Sequence, residues 1–163
     1  DFRAFERSFQ LMTQVAGRAG RRDKRGKVII QTGDPDHWVI LKVIDHDYVG
    51  FYEAEIIERK NFFYPPFYKI IEITLKHRDE NELNRASAEL ANRLRQIFKE
   101  RVLGPEFPVV KRIYNQYLKT ITLKIEREVN DRKVKERIEL VLDEFFSAPS
   151  NKSIRVVVDV DPA

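Results

Sequence analysis

Between residues 68 and 161 the spacing of apolar side chains switches between a two-residue and a three-to-four-residue period, in the order strand, helix, strand, strand, helix, strand. Ile71, Ile73 and Leu75 alternate with Glu72, Thr74 and Lys76, so a strand over 69–76 has one core face and one wet face. A helix from about Asp79 to Arg101 carries Leu83, Ala86, Leu90, Leu94 and Ile97 on one stripe, and Gly104-Pro105 is expected to end it. A short strand near Val109–Ile113 and a turn at Asn115 lead to the longest strand, Tyr117–Glu126. On that strand Tyr117, Lys119, Ile121, Leu123 and Ile125 share a face. A second helix over about Asp131–Phe146 buries Val134, Ile138, Val141, Leu142 and Phe145, and a last strand aligns Ile154, Val156, Val158 and Val160. The simplest way to cover these faces puts both helices on one side of a four-stranded antiparallel sheet. This is an α+β split βαβ sandwich in the order β-α-β-β-α-β.

The preceding segment is differently built. Gly33-Asp-Pro-Asp36 is a turn in which Asp36 can cap a helix through about Ile44, and Asp47 can cap another running to about Lys60. His37 and His46 lack a Cys or a third His at ligand spacing and read as surface residues, so no metal site is expected. Asn61-Phe-Phe-Tyr-Pro-Pro-Phe-Tyr68 then sets aromatic rings around a Pro-Pro pair. Rings such as Tyr64 and Phe67 can stack on unpaired nucleotides, or they can plug the seam before the next domain; large rings serve cores more often. Asp159 and Asp161 could be read as paired carboxylates, but without a third ligand they cap a strand end.

Near the start, Gln14-Val-Ala-Gly-Arg-Ala-Gly-Arg21 follows an amphipathic helix whose Phe2, Phe5, Phe9, Met12 and Ala16 recur at helical steps. Arginine holds phosphate in a bidentate grip at any working pH, and glycine permits close backbone approach. Residues 1–27 hold eight Lys and Arg against three Asp and Glu, while the remainder holds 22 against 23, so the net charge of +4 is concentrated here. That favours a local phosphate-facing surface over a basic glove along the whole chain. Val28–Thr32 reads as a buried strand, but one helix and one strand cannot close an α/β sheet, so residues 1–35 are expected to be partly disordered or opportunistically packed. No G-x-x-x-x-G-K-[ST] run and no Cys are present, which excludes a P-loop and Cys-based zinc or disulfide sites in these residues. No apolar run reaches the roughly 18 residues of a membrane helix.

The Gln14–Arg21 segment resembles motif VI of superfamily 2 helicases. Together with Tyr64-Pro-Pro-Phe67 and the ending Asp159-Val-Asp-Pro162, the chain resembles the C-terminal part of the PriA family of replication-restart DNA helicases. Arg22 departs from the family pattern, which carries a third glycine there. The resemblance implies that residues 1–35 end a second RecA-like lobe, that 36–67 are connecting helices and a Pro-Pro linker, and that 68–163 form a C-terminal domain. It implies that Arg18 and Arg21 stabilise the transferring phosphoryl group of ATP bound with Mg²⁺. Gln14, Gly17 and Gly20 would shape the nucleotide side. Nucleotide-gripping and zinc-binding parts are implied to lie upstream, so the chain alone is expected to lack ATPase activity. The implied partners are branched or forked DNA, single-stranded DNA, other primosome proteins, and the acidic tail of single-stranded DNA-binding protein. Residues expected to meet DNA or a partner are Tyr64, Phe67, Tyr117, Lys119, Arg132, Lys133 and Lys135, with Arg127 and Arg137 in the same basic run. A cytoplasmic location is expected. The alternative is a non-catalytic module that binds nucleic acid or protein on an open sheet face.

Overall fold

A computed structural model describes residues 2–19 and 26–162, which fall into two units, Asp1–Phe62 and Phe63–Ala163. In the first, helices α1 (Ala4–Arg18), α2 (Trp38–Ile44) and α3 (Tyr48–Asn61) share a small core. Phe9 and Trp38 both stack on Phe51, with ring centres 4.2 and 5.5 Å away, and Val39 and Val43 are buried beside them. Large rings let a short segment bury enough surface to hold together.

Helix α3 begins where the sequence placed it, with the Asp47 carboxylate accepting the Gly50 N–H at 2.8 Å. The cap of α2 differs from expectation. His37 rather than Asp36 occupies it, its ring Nδ1 accepting the Val39 N–H at 3.3 Å. The His37 N–H reaches back to the Asp34 carbonyl, which closes the turn across Pro35 and leaves Asp36 exposed. The buried strand expected at Val28–Thr32 is not formed, and Ile29 is 83% exposed. An apolar run becomes a strand only beside a partner, and the described residues of this unit contain no strand.

The second unit is an α+β layer. Its sheet runs β2-β4-β1-β5, all neighbours antiparallel, from β1 (Tyr68–His77), β2 (Val102–Glu106), β4 (Gln116–Glu126) and β5 (Arg155–Val160). The two-residue β3 (Arg112–Ile113) also pairs with β4, so the sheet has five strands rather than the expected four. Ile73 lies opposite Ile121 on one side and Val158 on the other, which sets the core face of three strands in register. Helices α4 (Glu80–Phe98) and α5 (Asp131–Ser147) supply the rest of that core through Leu83, Leu90, Leu94, Val134, Ile138 and Phe145. Each such side chain contributes about 1.5–3 kcal/mol relative to exposure. Asp79 caps α4 through the Asn81 and Glu82 N–H groups, and Asn130 caps α5 through those of Arg132 and Lys133.

Three expectations in this unit are corrected. Gly104-Pro105 does not simply end a helix; it lies inside the edge strand β2, where the register slips by one residue between Leu103 and Glu106. Gly104 takes the extra residue at φ +85°, and an edge strand tolerates Pro105 because its missing donor faces no neighbour. Of the strand expected at Val109–Ile113, only the last two residues are extended. Helix α4 stops at Phe98, followed by a 3₁₀ turn at Lys99–Arg101, and it buries Phe98 instead of Ile97 because Phe98 lies one turn beyond Leu94.

The last strand also departs from a fully buried face. Ile154 is buried, but Val158 and Val160 are 41% and 61% exposed on the side that α5 leaves uncovered. Asp161 ends β5 as a strand cap should: its N–H donates to the Ile70 carbonyl at 2.7 Å and its carboxylate accepts the Ile70 N–H at 3.0 Å. Asn151, fully buried, ties α4 to the end of α5. It donates to the Phe145 carbonyl at 2.9 Å and to Glu89, and accepts from Arg85 at 3.0 Å.

Candidate functional site

Helix α1 sets the motif residues by its buried side. With Phe9 turned inward, Arg7, Gln10, Leu11 and Gln14 line a shallow exposed depression on the outer face, and Arg18 follows Gln14 one turn later. Gln14, Gly17 and Arg18 are all exposed, and Arg18 stands in the last turn of the helix. Gly20 and Arg21 lie outside the described residues.

The remaining expected residues divide between the two ends of β4. At the end near Glu126, the Lys124 ammonium sits 3.7 Å from the centre of the Tyr64 ring, and its burial lowers its pKa from the ordinary lysine value. Phe67 is half-buried, its carbonyl accepting the Arg127 N–H at 3.3 Å while the Arg127 guanidinium bonds the Pro66 carbonyl. Phe63 packs edge-on against Tyr68 with centres 5.0 Å apart. Within this unit, therefore, the aromatic run is partly packed on the sheet, and Arg127 holds the Pro-Pro segment in place.

The opening of α5 lies at this same end. Arg132 pairs with Glu136 at 2.9 Å, while Lys133 and Lys135 are exposed. Lys135 stands on the rim of a groove of about 550 Å³ between α5, β1 and β5. Ile71, Ile138, Leu142, Val158 and Val160 make its floor, and Lys69, Asp131 and Glu139 complete the rim, with Lys69 paired to Asp131. The sequence pattern only aligned these valines on one face, so the groove was visible only once α5 was seen to leave them open.

Tyr117 and Lys119 belong to the other end of β4, about 23 Å and about 17 Å along the strand from Lys124 at roughly 3.3 Å per residue. Tyr117 packs partly against the core and carries the Arg112 guanidinium over its ring at 4.9 Å. Lys119 and Lys111 flank Phe107 at 4.7 and 5.4 Å from its ring centre. Sequence reasoning missed Phe107, Lys111, Arg112 and Tyr114 as companions of this pair. The signal available was the turn at Asn115, which folds residues 106–113 back onto the start of β4.

The chain's matches span most of its length. Residues 60–163 match the family model described as the primosomal protein N C-terminal domain. The replication restart protein PriA of Bacillus subtilis is 32% identical over 99% of this chain, and that of Synechocystis 35% identical over 99%. The Treponema pallidum protein of the same name is 36% identical over 99%. The chain covers 20%, 19% and 24% of these relatives in turn, so it spans about a fifth of the length of the curated relatives it matches.

Proposed function

We propose, from the premise that this chain belongs to the family of the primosomal protein N C-terminal domain, that it is the C-terminal part of a replication-restart protein. The intact protein would act as an ATP-dependent 3′-to-5′ DNA helicase at stalled or branched forks and initiate primosome assembly. The observation that carries this reading is similarity along 99% of the chain to proteins named for replication restart.

In this reading residues 1–35 close a second RecA-like lobe, 36–67 connect it, and 68–163 are a split βαβ domain. The strand order β2-β4-β1-β5, with a helix after β1 and another after β4, supports that topology. Arg18 and Arg21 face ATP, which with Mg²⁺ supplies the transferable phosphoryl group, and Gln14, Gly17 and Gly20 let the helix end approach it. Arginines in this position are worth roughly 10³–10⁵ in rate. Gln14 and Arg18 lie one turn apart on the exposed face of α1, as a surface that meets a ligand held elsewhere requires. The phosphate-cradling loop and zinc-binding cysteines belong to upstream parts, so the chain alone does not hydrolyse ATP. The acidic tail of single-stranded DNA-binding protein would dock at the opening of α5, where Lys133 and Lys135 are exposed beside an apolar groove.

Fluorescence anisotropy of the 163-residue chain with forked DNA, repeated across a salt series, tests the DNA-binding half of this reading. Affinity should fall steeply as salt rises, as phosphate contacts demand. A flat salt response, or no binding, would transfer the domain to a protein partner. In the intact protein, ATP hydrolysis surviving Arg21→Ala would remove the motif's assigned role.

A further inference from the structure

The segment 106–119 holds features that neither the core nor the turn requires. Tyr114 and Asn115 join β3 to β4 with φ +47° and +62°, a two-residue turn with both residues left-handed. Asn tolerates that backbone because its short polar side chain bonds locally, whereas a Tyr ring gains nothing from it. Tyr114 is nonetheless 96% exposed, and Val109 on the incoming arm is fully exposed. A ring on a left-handed backbone carries a strain cost, and among the described residues no hydrogen bond or ring contact of the Tyr114 side chain offsets it.

The flanks are basic. Residues 106–119 carry Lys111, Arg112 and Lys119 against the single carboxylate Glu106. The Arg112 guanidinium is held by the Asn115 side-chain oxygen and the face of Tyr117, so a fixed positive charge lies beside the turn. Lys111 and Lys119 are both drawn to Phe107, which places their ammonium groups along the same arm. Cations spaced along a hairpin behind an exposed ring suit a polyanion whose bases have open faces. Intact duplex presents no such faces except at ends and branches, and stacking on aromatic rings is how unpaired bases are held.

We propose that this hairpin is a stacking pin for an unpaired base at a DNA branch, with Tyr114 supplying the ring and Lys111, Arg112 and Lys119 the neighbouring phosphate contacts. The inference rests on the reading of the chain as part of a fork-binding protein and names the feature of the fork that this domain meets.

The test uses the whole chain and a fork with 2-aminopurine as the unpaired base at the branch. Tyr114→Gly removes the ring where glycine takes a positive φ without strain, and Tyr114→Phe keeps the ring without its hydroxyl. Wild type and Tyr114→Phe should both quench the probe. Tyr114→Gly should lose the quench and bind the fork roughly tenfold more weakly while binding a closed circular duplex, which has no ends, as before. Lys111→Ala should weaken fork binding and lower the salt slope by about one. Wild-type quench and fork affinity in Tyr114→Gly would overturn the pin while leaving fork binding by the chain intact. Equal losses on fork and duplex would overturn it too. A wild-type chain without salt-dependent fork affinity would remove both readings together. Thermal midpoints of Tyr114→Phe and Tyr114→Gly no lower than that of wild type establish that lost quenching is not lost folding.

Discussion

Gly104 shows how one residue can be held to one identity. At φ +85° it sits in the left-handed region, and a Cβ there would fall 2.7 Å from the Thr120 carbonyl oxygen of the facing strand. Both faults are in backbone, which cannot swing aside as a side chain can. Gly104→Ala should therefore lose about 1–3 kcal/mol of stability, read as a lower urea midpoint with an unchanged slope. The requirement was not legible beforehand, because it arises from the partner strand and not from the Gly-Pro pair itself. Asp47 as a cap, and Asp79 as the start of a helix, were legible for the opposite reason. A cap needs only its own next three residues, and these are adjacent in the chain. His37 shows the limit of that rule, since the turn at Asp34 decides which residue reaches the helix end.

Among elements, α4, α5, β1 and β4 were readable to within a few residues, because each has a long apolar period that matches one face of the final core. The elements that failed were short. Val28–Thr32 lacked a partner, and β2 was hidden by a bulge. The candidate sites divide similarly: the motif on α1 and the basic opening of α5 could be named from local sequence, whereas the hairpin cluster and the α5–β5 groove depend on pairing across the sheet. Asn151 carries no local mark of its role, yet it joins two helices through Arg85, Glu89 and the Phe145 carbonyl. Asn151→Ala would leave that carbonyl and the Arg85–Glu89 pair short of a buried partner, and should cost about 1–3 kcal/mol in chemical denaturation. A substitution at exposed Lys152 next to it should change stability by less than about 0.5 kcal/mol.

At the scale of the molecule, the two cores are built from separate residues. Among the described residues, the cluster of the sheet unit runs from Ile71 to Ile154, with Tyr117, Leu142, Phe146 and Val156 against it, and that of the three-helix unit from Phe9 to Phe51. Residues 63–163 produced alone should therefore unfold in one cooperative step with the dispersed amide spectrum of a packed sheet. A molten, low-dispersion spectrum would show that the sheet unit depends on what precedes it. The sheet's far border has a different bearing on how the protein behaves in the tube. Strand β5 ends the sheet, so its outward backbone groups have no strand partner among the described residues, and its only ionic residues are Arg155 and Asp159 on either side of three consecutive valines. Two copies laid head to tail about Val157 would bring each guanidinium across from the other copy's carboxylate. Crowded preparations of the chain will thus tend to pair off two by two at this lip, unless another surface occupies it first.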